Sequence, residues 1–149
     1  MAGLELAKKL LAVRIKGGGF DRLLHKVRIT EAGGGSLVAE MRVEEEDCAP
    51  QKRFMHGAMS TLLVDSLSGI ALMTAEHVQL QNAGVSLNIN MTYMKAAQVG
   101  QDVLIKARTD KVGSKVAFLS VEILSKATDE LLAKGSHVKF IGQAVLPKA

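Results

Sequence analysis

The sequence contains little that could cross-link the chain, hold a metal ion through thiolates or stack on nucleic-acid bases. Cys48 is the only cysteine among 149 residues, which excludes an internal disulfide and a paired-cysteine metal site. Tryptophan is absent and aromatic residues make up 3%, so binding of single-stranded nucleic acid by base stacking is disfavoured. No apolar run reaches the roughly 18 residues of a membrane-spanning helix. We therefore expect a protein of a reducing compartment, without a membrane span and without a nucleic-acid partner.

The remaining composition is that of one ordinary globular domain. Hydrophobic residues make up 48% and charged residues 23%, and 149 residues are enough to bury a core. The net charge of +4 suits a phosphate-bearing small molecule as well as a solvated surface, and it does not distinguish the two. Residues 4–15 have the spacing of an amphipathic helix. We expect a cytoplasmic protein, and the N-terminal helix leaves a mitochondrial location open.

The order of the predicted elements indicates an α+β fold with one antiparallel sheet. After the N-terminal helix and the glycines at 17–19, strands are predicted at 24–30, 37–43, 85–93, 102–109, 115–124 and 131–140. A long apolar helix is predicted from Gly57 to His77. Short turns between consecutive strands favour antiparallel pairing, and such a sheet needs one face covered. We therefore predict a six-stranded antiparallel sheet wrapped round one central helix, with an additional N-terminal helix.

The same pattern divides the chain into three parts. Residues 1–19 are the amphipathic helix with its glycine-rich hinge, residues 20–142 are the folded domain, and residues 143–149 are a tail.

Asp65 is the only charged residue between Gly57 and Ala75. A carboxylate in a buried helix costs several kcal/mol unless it is paired, hydrogen-bonded or protonated. Its helical neighbours include no cation that could neutralise it; they are Thr61, Leu62, Ser68, Gly69 and Leu72. We interpret Asp65 as a functional carboxylate, and the alternative is a structural role in which it caps a neighbouring loop.

Two stretches carry a family resemblance: MHGAMSTLLVD, ending at Asp65, and GVSLNINMTYM, beginning at Gly84. Together with the element order, they resemble the hotdog-fold acyl-CoA thioesterases of the phenylacetate-degradation type, which include small animal acyl-CoA thioesterases. The resemblance covers residues 20–142. It implies a hotdog fold and hydrolysis of acyl-CoA thioesters to a free acid and coenzyme A. Because coenzyme A is part of the substrate, the resemblance implies no cofactor and no metal.

The resemblance also implies catalytic roles for four residues. The backbone N–H of Gly57 would polarise the thioester carbonyl, and Asp65 would act as general base or nucleophile. Ser86 would hold the attacking water, and His56 would orient the loop before the helix. The start of a helix independently supplies unpaired N–H groups and a positive dipole end, which suit a developing oxyanion.

Substrate contacts are implied at two further places. Tyr93 matches a position near the pantetheine. The nucleotide contacts of the family fall on a basic turn formed by Lys111, Val112, Gly113, Ser114, Lys115 and Val116. Weaker candidates for such contacts lie on the last strand, at Lys134, His137 and Lys139.

The spacing of His56 and Asp65 predicts a site shared between two chains. Nine positions on one helix separate two residues by about 180° in azimuth and about 13 Å along the axis. One chain can therefore hardly place both in the same site. This agrees with the resemblance, which implies a homodimer or homotetramer with its sites at subunit interfaces.

One departure from the family leaves alternatives open. Relatives usually carry an Asn in the loop before the His-Gly pair, whereas the stretch from Cys48 to Phe54 has none, and Gln51 is the candidate substitute. The alternative function is therefore a non-catalytic acyl-CoA-binding or regulatory hotdog protein. A dehydratase or hydratase would need a His–Asp or His–Glu pair, and the sequence pattern indicates none. His25 and His77 have no predicted role.

Overall fold

Six strands and two α-helices account for most of the chain. The computed structural model describes residues 2–76 and 80–142. The α-helices are α1 (Ala2–Lys16) and α2 (Gly57–Met73), and short 3₁₀ helices lie at Phe20–Lys26 and Glu45–Asp47. The strands are β1 (Arg28–Gly33), β2 (Ser36–Arg42), β3 (Val85–Tyr93), β4 (Asp102–Val112), β5 (Val116–Ser125) and β6 (Leu131–Phe140). The predicted fold class is confirmed, and no helix in the described ranges is long and apolar enough to cross a membrane.

All six strands belong to one sheet in the order β1-β2-β4-β5-β6-β3, and each neighbouring pair is antiparallel. Helix α2 contacts every strand from β2 to β6. This packing buries most of the helix, and its fully buried side chains include Leu63, Leu67 and Ile70. Burying each such side chain stabilises the fold by about 1.5–3 kcal/mol. The main hydrophobic core therefore lies between α2 and the face of the sheet that it covers.

The predicted first strand, 24–30, is wrong over its first half. Residues up to Lys26 form a 3₁₀ helix, and the strand begins at Arg28. The helical turn buries Leu24 against the core while the Lys26 ammonium reaches the Asp47 carboxylate at 2.7 Å. Both contacts come from distant parts of the chain, so the local pattern could not show them.

The central helix ends at Met73, earlier than the predicted end at His77. The Thr74 hydroxyl donates to the carbonyl of Ala71 at 2.7 Å and accepts the N–H of Gly35 at 3.1 Å. Gly35 has a φ of +84°, in the left-handed region that glycine favours. The β1–β2 turn therefore ends the helix by a tertiary contact. His77 and the predicted tail at 143–149 lie outside the described residues.

Strand β3 is an edge strand with both faces largely open. Only Ile89 and Met91 along its length are half-buried. Val85 and Leu87 remain 63% and 59% exposed. An exposed, unpaired edge with apolar side chains is a template for pairing with another strand.

Candidate active site

The start of α2 leaves one backbone N–H group unpaired. His56 is the N-cap residue; its ring Nδ1 accepts the N–H of Ala58 at 2.9 Å, and its carbonyl accepts the N–H of Met59 at 2.9 Å. The N–H of Gly57 has no acceptor among the described residues. A free donor at the positive end of a helix dipole is suited to bind an oxyanion.

The side chain of Tyr93 packs against the same end of the helix. Its hydroxyl donates to the carbonyl of Gly57 at 3.0 Å and lies 3.1 Å from the Thr61 hydroxyl. A Cβ atom on Gly57 would come within 3.2 Å of the Tyr93 hydroxyl oxygen. Glycine is therefore the residue that lets Tyr93 approach the backbone this closely.

A cavity of about 310 Å³ opens beside this helix start. It is lined by Gly57 and Tyr93, and largely by apolar side chains that include Met55, Ile123 and Leu132. Its composition suits an apolar group next to the free N–H of Gly57.

Asp65 is not buried, which corrects the expectation drawn from the apolar helix. Its side chain is 47% exposed. It follows the exposed Ala58 and the half-buried Thr61 at helical spacing, so all three lie on the stripe of α2 that the sheet leaves open. The carboxylate therefore loses little hydration in the single chain, and Lys139 lies near enough to interact with it, so the lack of a cation among its helical neighbours is not by itself a sign of function.

Asp65 has a buried histidine beside it. The His137 Nε2 atom lies 3.9 Å from Asp65 Oδ1 and 2.7 Å from the Ser86 hydroxyl oxygen. On the other side of the ring, Nδ1 lies 2.7 Å from the Ser68 hydroxyl oxygen. The sequence pattern did not show that a histidine lies next to Asp65, although 3.9 Å is too long for a hydrogen bond between the two side chains. The two residues are 72 positions apart, and only the sheet brings them together.

The His137 imidazole is neutral across the physiological pH range. Burial, together with the positive charge of Lys139 and against the opposing carboxylate of Asp65, lowers the pKa of His137 to about 4. Burial also lowers the pKa of Lys139, with Arg14 acting in the same direction and Asp65 opposing. A neutral imidazole can donate from one nitrogen and accept at the other.

The alternation along β6 is the signal that could have identified His137 earlier. Ala133, Gly135, His137 and Lys139 are buried at a spacing of two, while Lys134 and Ser136 between them are exposed. Two polar residues on the inward face of a strand need partners, and such residues are candidates for a site. The hydrogen-bond partners of His137 lie on α2 and β3, which are distant in sequence.

One chain assembles these residues into two separate groups. His56, Gly57 and Tyr93 form the first group, and Asp65, Ser86 and His137 form the second. Gly57 and Asp65 lie about 12 Å apart along the axis of α2. Ser86 and Tyr93 are at opposite ends of β3, roughly 23 Å apart.

The basic turn lies at the same end of the sheet as Ser86. Ser86 pairs with Lys139 on β6, Lys139 pairs with Ala117 on β5, and Ala117 pairs with Val112 on β4. The remaining turn residues Lys111, Gly113, Ser114 and Lys115 are exposed, and Val116 begins β5. The turn is therefore nearer to the group around Asp65 than to the helix start.

The loop before His56 is anchored by Asp47 and directs Gln51 outward. The carboxylate of Asp47 accepts the N–H of Glu44 at 2.9 Å, and the carbonyl of Asp47 accepts the N–H of His56 at 2.8 Å. Gln51 is exposed on the following turn and does not line the cavity beside Gly57.

Comparisons with known proteins agree with the fold. A family model described as the thioesterase superfamily matches residues 53–132. Acyl-coenzyme A thioesterase 13 of Mus musculus is 38% identical over 135 residues, which cover 91% of this chain and 94% of the relative. The crystal structure of zebrafish thioesterase superfamily member 2 has a TM-score of 0.86 at 38% identity, covering 93% of this chain and 98% of that one. A hypothetical thioesterase from Streptococcus pneumoniae, solved with coenzyme A, has a TM-score of 0.73 at 21% identity, covering 85% and 95%.

Proposed function

This chain belongs to the thioesterase superfamily, and from that membership we propose that it hydrolyses acyl-CoA thioesters to a carboxylic acid and free coenzyme A. The observation that carries the proposal is the group formed by Asp65, Ser86 and His137 at the open edge of β3. The name of the mouse relative and the coenzyme A bound to the pneumococcal protein support the choice of substrate. The proposed reaction uses water and residues of the chain, and it needs neither a metal nor a cofactor.

We propose that the complete site forms between two copies of this chain. If β3 pairs antiparallel with β3 of a second copy, the start of one strand lies beside the end of the other. Ser86 of one subunit would then lie near Tyr93 and Gly57 of the partner subunit. The exposed edge of β3, with Val85 and Leu87 open, supports this pairing. A homodimer is thus the smallest active unit, and the expected homotetramer would be a pair of such dimers.

In the proposed reaction, Asp65 takes a proton from a water molecule while the water oxygen attacks the thioester carbonyl carbon. The negative charge that develops on the carbonyl oxygen is stabilised by the free N–H of Gly57. When the tetrahedral intermediate collapses, the C–S bond breaks, the proton held by Asp65 passes to the departing sulfur, and coenzyme A leaves as the thiol while the Asp65 carboxylate is regenerated. Ser86 holds the water, and His56 orients the loop before the helix through its hydrogen bond with the N–H of Ala58.

The substrate is proposed to extend from this point in two directions. The acyl group lies in the apolar cavity beside Gly57, where Tyr93 also borders the pantetheine. The turn from Lys111 to Val116 contacts the phosphates of coenzyme A, because it presents two ammonium groups at the end of the sheet where Ser86 lies. An apolar cavity favours medium or long fatty acyl chains, and an aryl-acetyl group is the other candidate.

The experiment that tests this function is release of free thiol from a panel of acyl-CoA substrates, with hydrolysis of the same acyl chains on a short thiol such as N-acetylcysteamine as control. We expect saturable release with the acyl-CoA substrates and a much higher KM for the short thioesters. Saturable binding of acyl-CoA without thiol release would instead favour a non-catalytic acyl-CoA-binding protein. The position of Gln51 favours that alternative, because Gln51 is exposed and does not line the cavity beside Gly57 of its own chain.

Mixing two inactive variants tests the shared site. We expect Asp65→Asn mixed with Gly57→Pro to recover about a quarter of the wild-type activity, because half of the random dimers then contain one intact site. The measurement is thiol release after the two chains are denatured together and refolded. Asp65→Asn mixed with Ser86→Ala is the matched control, since both changes lie in the same group and leave no intact site. Equal recovery in both mixtures, or none in the first, would exclude a site shared in this way.

A further inference from the structure

Ser68 is a buried serine of α2 that makes a hydrogen bond with the histidine of the proposed site. Its hydroxyl oxygen lies 2.7 Å from His137 Nδ1 and 3.2 Å from the carbonyl oxygen of Asp65, one turn earlier in the helix. Ser68 is completely buried, as is His137. It makes no contact with the open surface where a substrate would bind, so it could influence the reaction only through the imidazole.

The hydrogen atoms in this group can be assigned by counting donors and acceptors. A neutral imidazole carries one N–H, and each serine hydroxyl carries one O–H. If His137 carries its proton on Nδ1, it donates to Ser68, Ser68 donates to the carbonyl of Asp65, and Ser86 donates to Nε2. All three hydrogens then lie on contacts of 2.7–3.2 Å.

The other tautomer uses fewer of these contacts. With the proton on Nε2, the imidazole donates to Ser86 and Ser68 must donate to Nδ1. The contact from Ser68 to the carbonyl of Asp65 is then lost, and the hydrogen of Ser86 has no acceptor among the described residues. Ser86 is exposed, so its hydrogen would then be left to solvent, and the first arrangement is favoured because it makes three hydrogen bonds within the protein and the second makes two.

We propose that Ser68 is a positioning residue that holds His137 in the Nδ1–H tautomer, so that Nε2 accepts the hydroxyl hydrogen of Ser86. The geometry of three consecutive hydrogen bonds, from Ser86 through His137 and Ser68 to the backbone of α2, carries this assignment.

The consequence for catalysis depends on the proposed function. With its own hydrogen directed to His137, Ser86 presents only lone pairs to the water. The water then donates one hydrogen to Ser86 and the other to the Asp65 carboxylate, and its lone pairs are free to attack the carbonyl carbon. In the other tautomer the hydrogen of Ser86 would point towards the water or Asp65, where it would compete for the lone pairs that the reaction needs.

The tautomer can be measured directly by NMR on the protein with ¹⁵N-labelled histidine, because protonated and unprotonated ring nitrogens differ strongly in chemical shift. The signal of His137 is identified by its loss in His137→Gln. We expect Nδ1–H in the wild type and a shift towards Nε2–H in Ser68→Ala, since Nδ1–H would then be buried without an acceptor. The control is Ser66→Ala, which removes another buried serine of α2 whose hydroxyl donates to Asp21 at 3.0 Å.

Kinetics provide the second readout. We expect Ser68→Ala to lower kcat about 10-fold with KM unchanged. Ser66→Ala should leave both constants unchanged. Ser68→Thr, which keeps a hydroxyl, should restore kcat and the Nδ1–H tautomer together. Nε2–H in the wild type, or an unchanged tautomer in Ser68→Ala, would overturn the proposal. Because the tautomer is read without substrate, wild-type protein that shows Nδ1–H but releases no thiol would refute the proposed hydrolysis and leave the role of Ser68 in place.

Discussion

Replacing Asp65 with asparagine is expected to lower kcat for acyl-CoA hydrolysis by about 10³-fold, within the range for loss of a general base. Asparagine keeps the shape of the side chain but cannot take a proton from water, so KM should change little. The measurement is steady-state thiol release with the best substrate of the panel. Asp110→Asn is the control, because Asp110 is another carboxylate on the same chain, paired with Arg108 on the surface. Undiminished activity in Asp65→Asn would place the base elsewhere.

The same residue could act as base or as nucleophile, and ¹⁸O found in Asp65 itself would identify the nucleophile. In a single turnover in H₂¹⁸O with enzyme in excess, a general base leads to ¹⁸O in the product acid. A nucleophilic carboxylate forms an anhydride, and water that opens it at the aspartyl carbon leaves ¹⁸O in Asp65 instead. We expect the label in the product, because Ser86 and His137 stand beside the carboxylate at the place where a water would be held.

Gly57→Pro is expected to lower kcat by about 10²–10³-fold, the usual effect of losing one oxyanion donor. Proline removes the N–H but is well tolerated at the first position of a helix. The residue before it, His56, already has φ −65° and ψ 139°, in the extended region that a following proline requires. The backbone can therefore stay in place while the proposed donor is lost.

Gly57→Ala is the matched variant for this test. It keeps the N–H and adds a Cβ 3.2 Å from the Tyr93 hydroxyl, so it reports the steric cost alone. We expect a much smaller loss of kcat in Gly57→Ala than in Gly57→Pro, measured by thiol release, with circular dichroism to verify that both variants retain their helix content. Equal losses would mean that the contact with Tyr93, and not the N–H, is what matters at this position.

The loop before His56 lacks the Asn that the family resemblance implies there, and its structure bears on the expected rate. Asp47 holds the loop through backbone hydrogen bonds to Glu44 and His56, independently of the residues that follow. With Gln51 exposed, the free N–H of Gly57 is the one oxyanion donor identified among the described residues. We therefore expect turnover below that of relatives that carry the loop Asn.

Local patterns along the chain were enough to predict the fold. The predicted strands 85–93 and 131–140 have the same bounds as the strands in the structure. Apolar and polar residues alternate strictly in 85–93, and such alternation depends only on neighbouring residues. The apolar run after Gly57 likewise identified the central helix. The predictions failed where a distant partner sets the local structure, as at Lys26 with Asp47 and at Thr74 with Gly35.

The sequence by itself determined the six-stranded sheet, the central helix and the family, and it singled out His56, Gly57, Asp65 and Ser86 through a motif confined to two short stretches. Only the tertiary structure decided that Asp65 is half-exposed and that His137 stands beside it. The physical reason is that burial and hydrogen bonding depend on which elements pack together, and β6 reaches α2 and β3 only through the sheet. The spacing of residues along β6 does not specify which residues of α2 and β3 they contact.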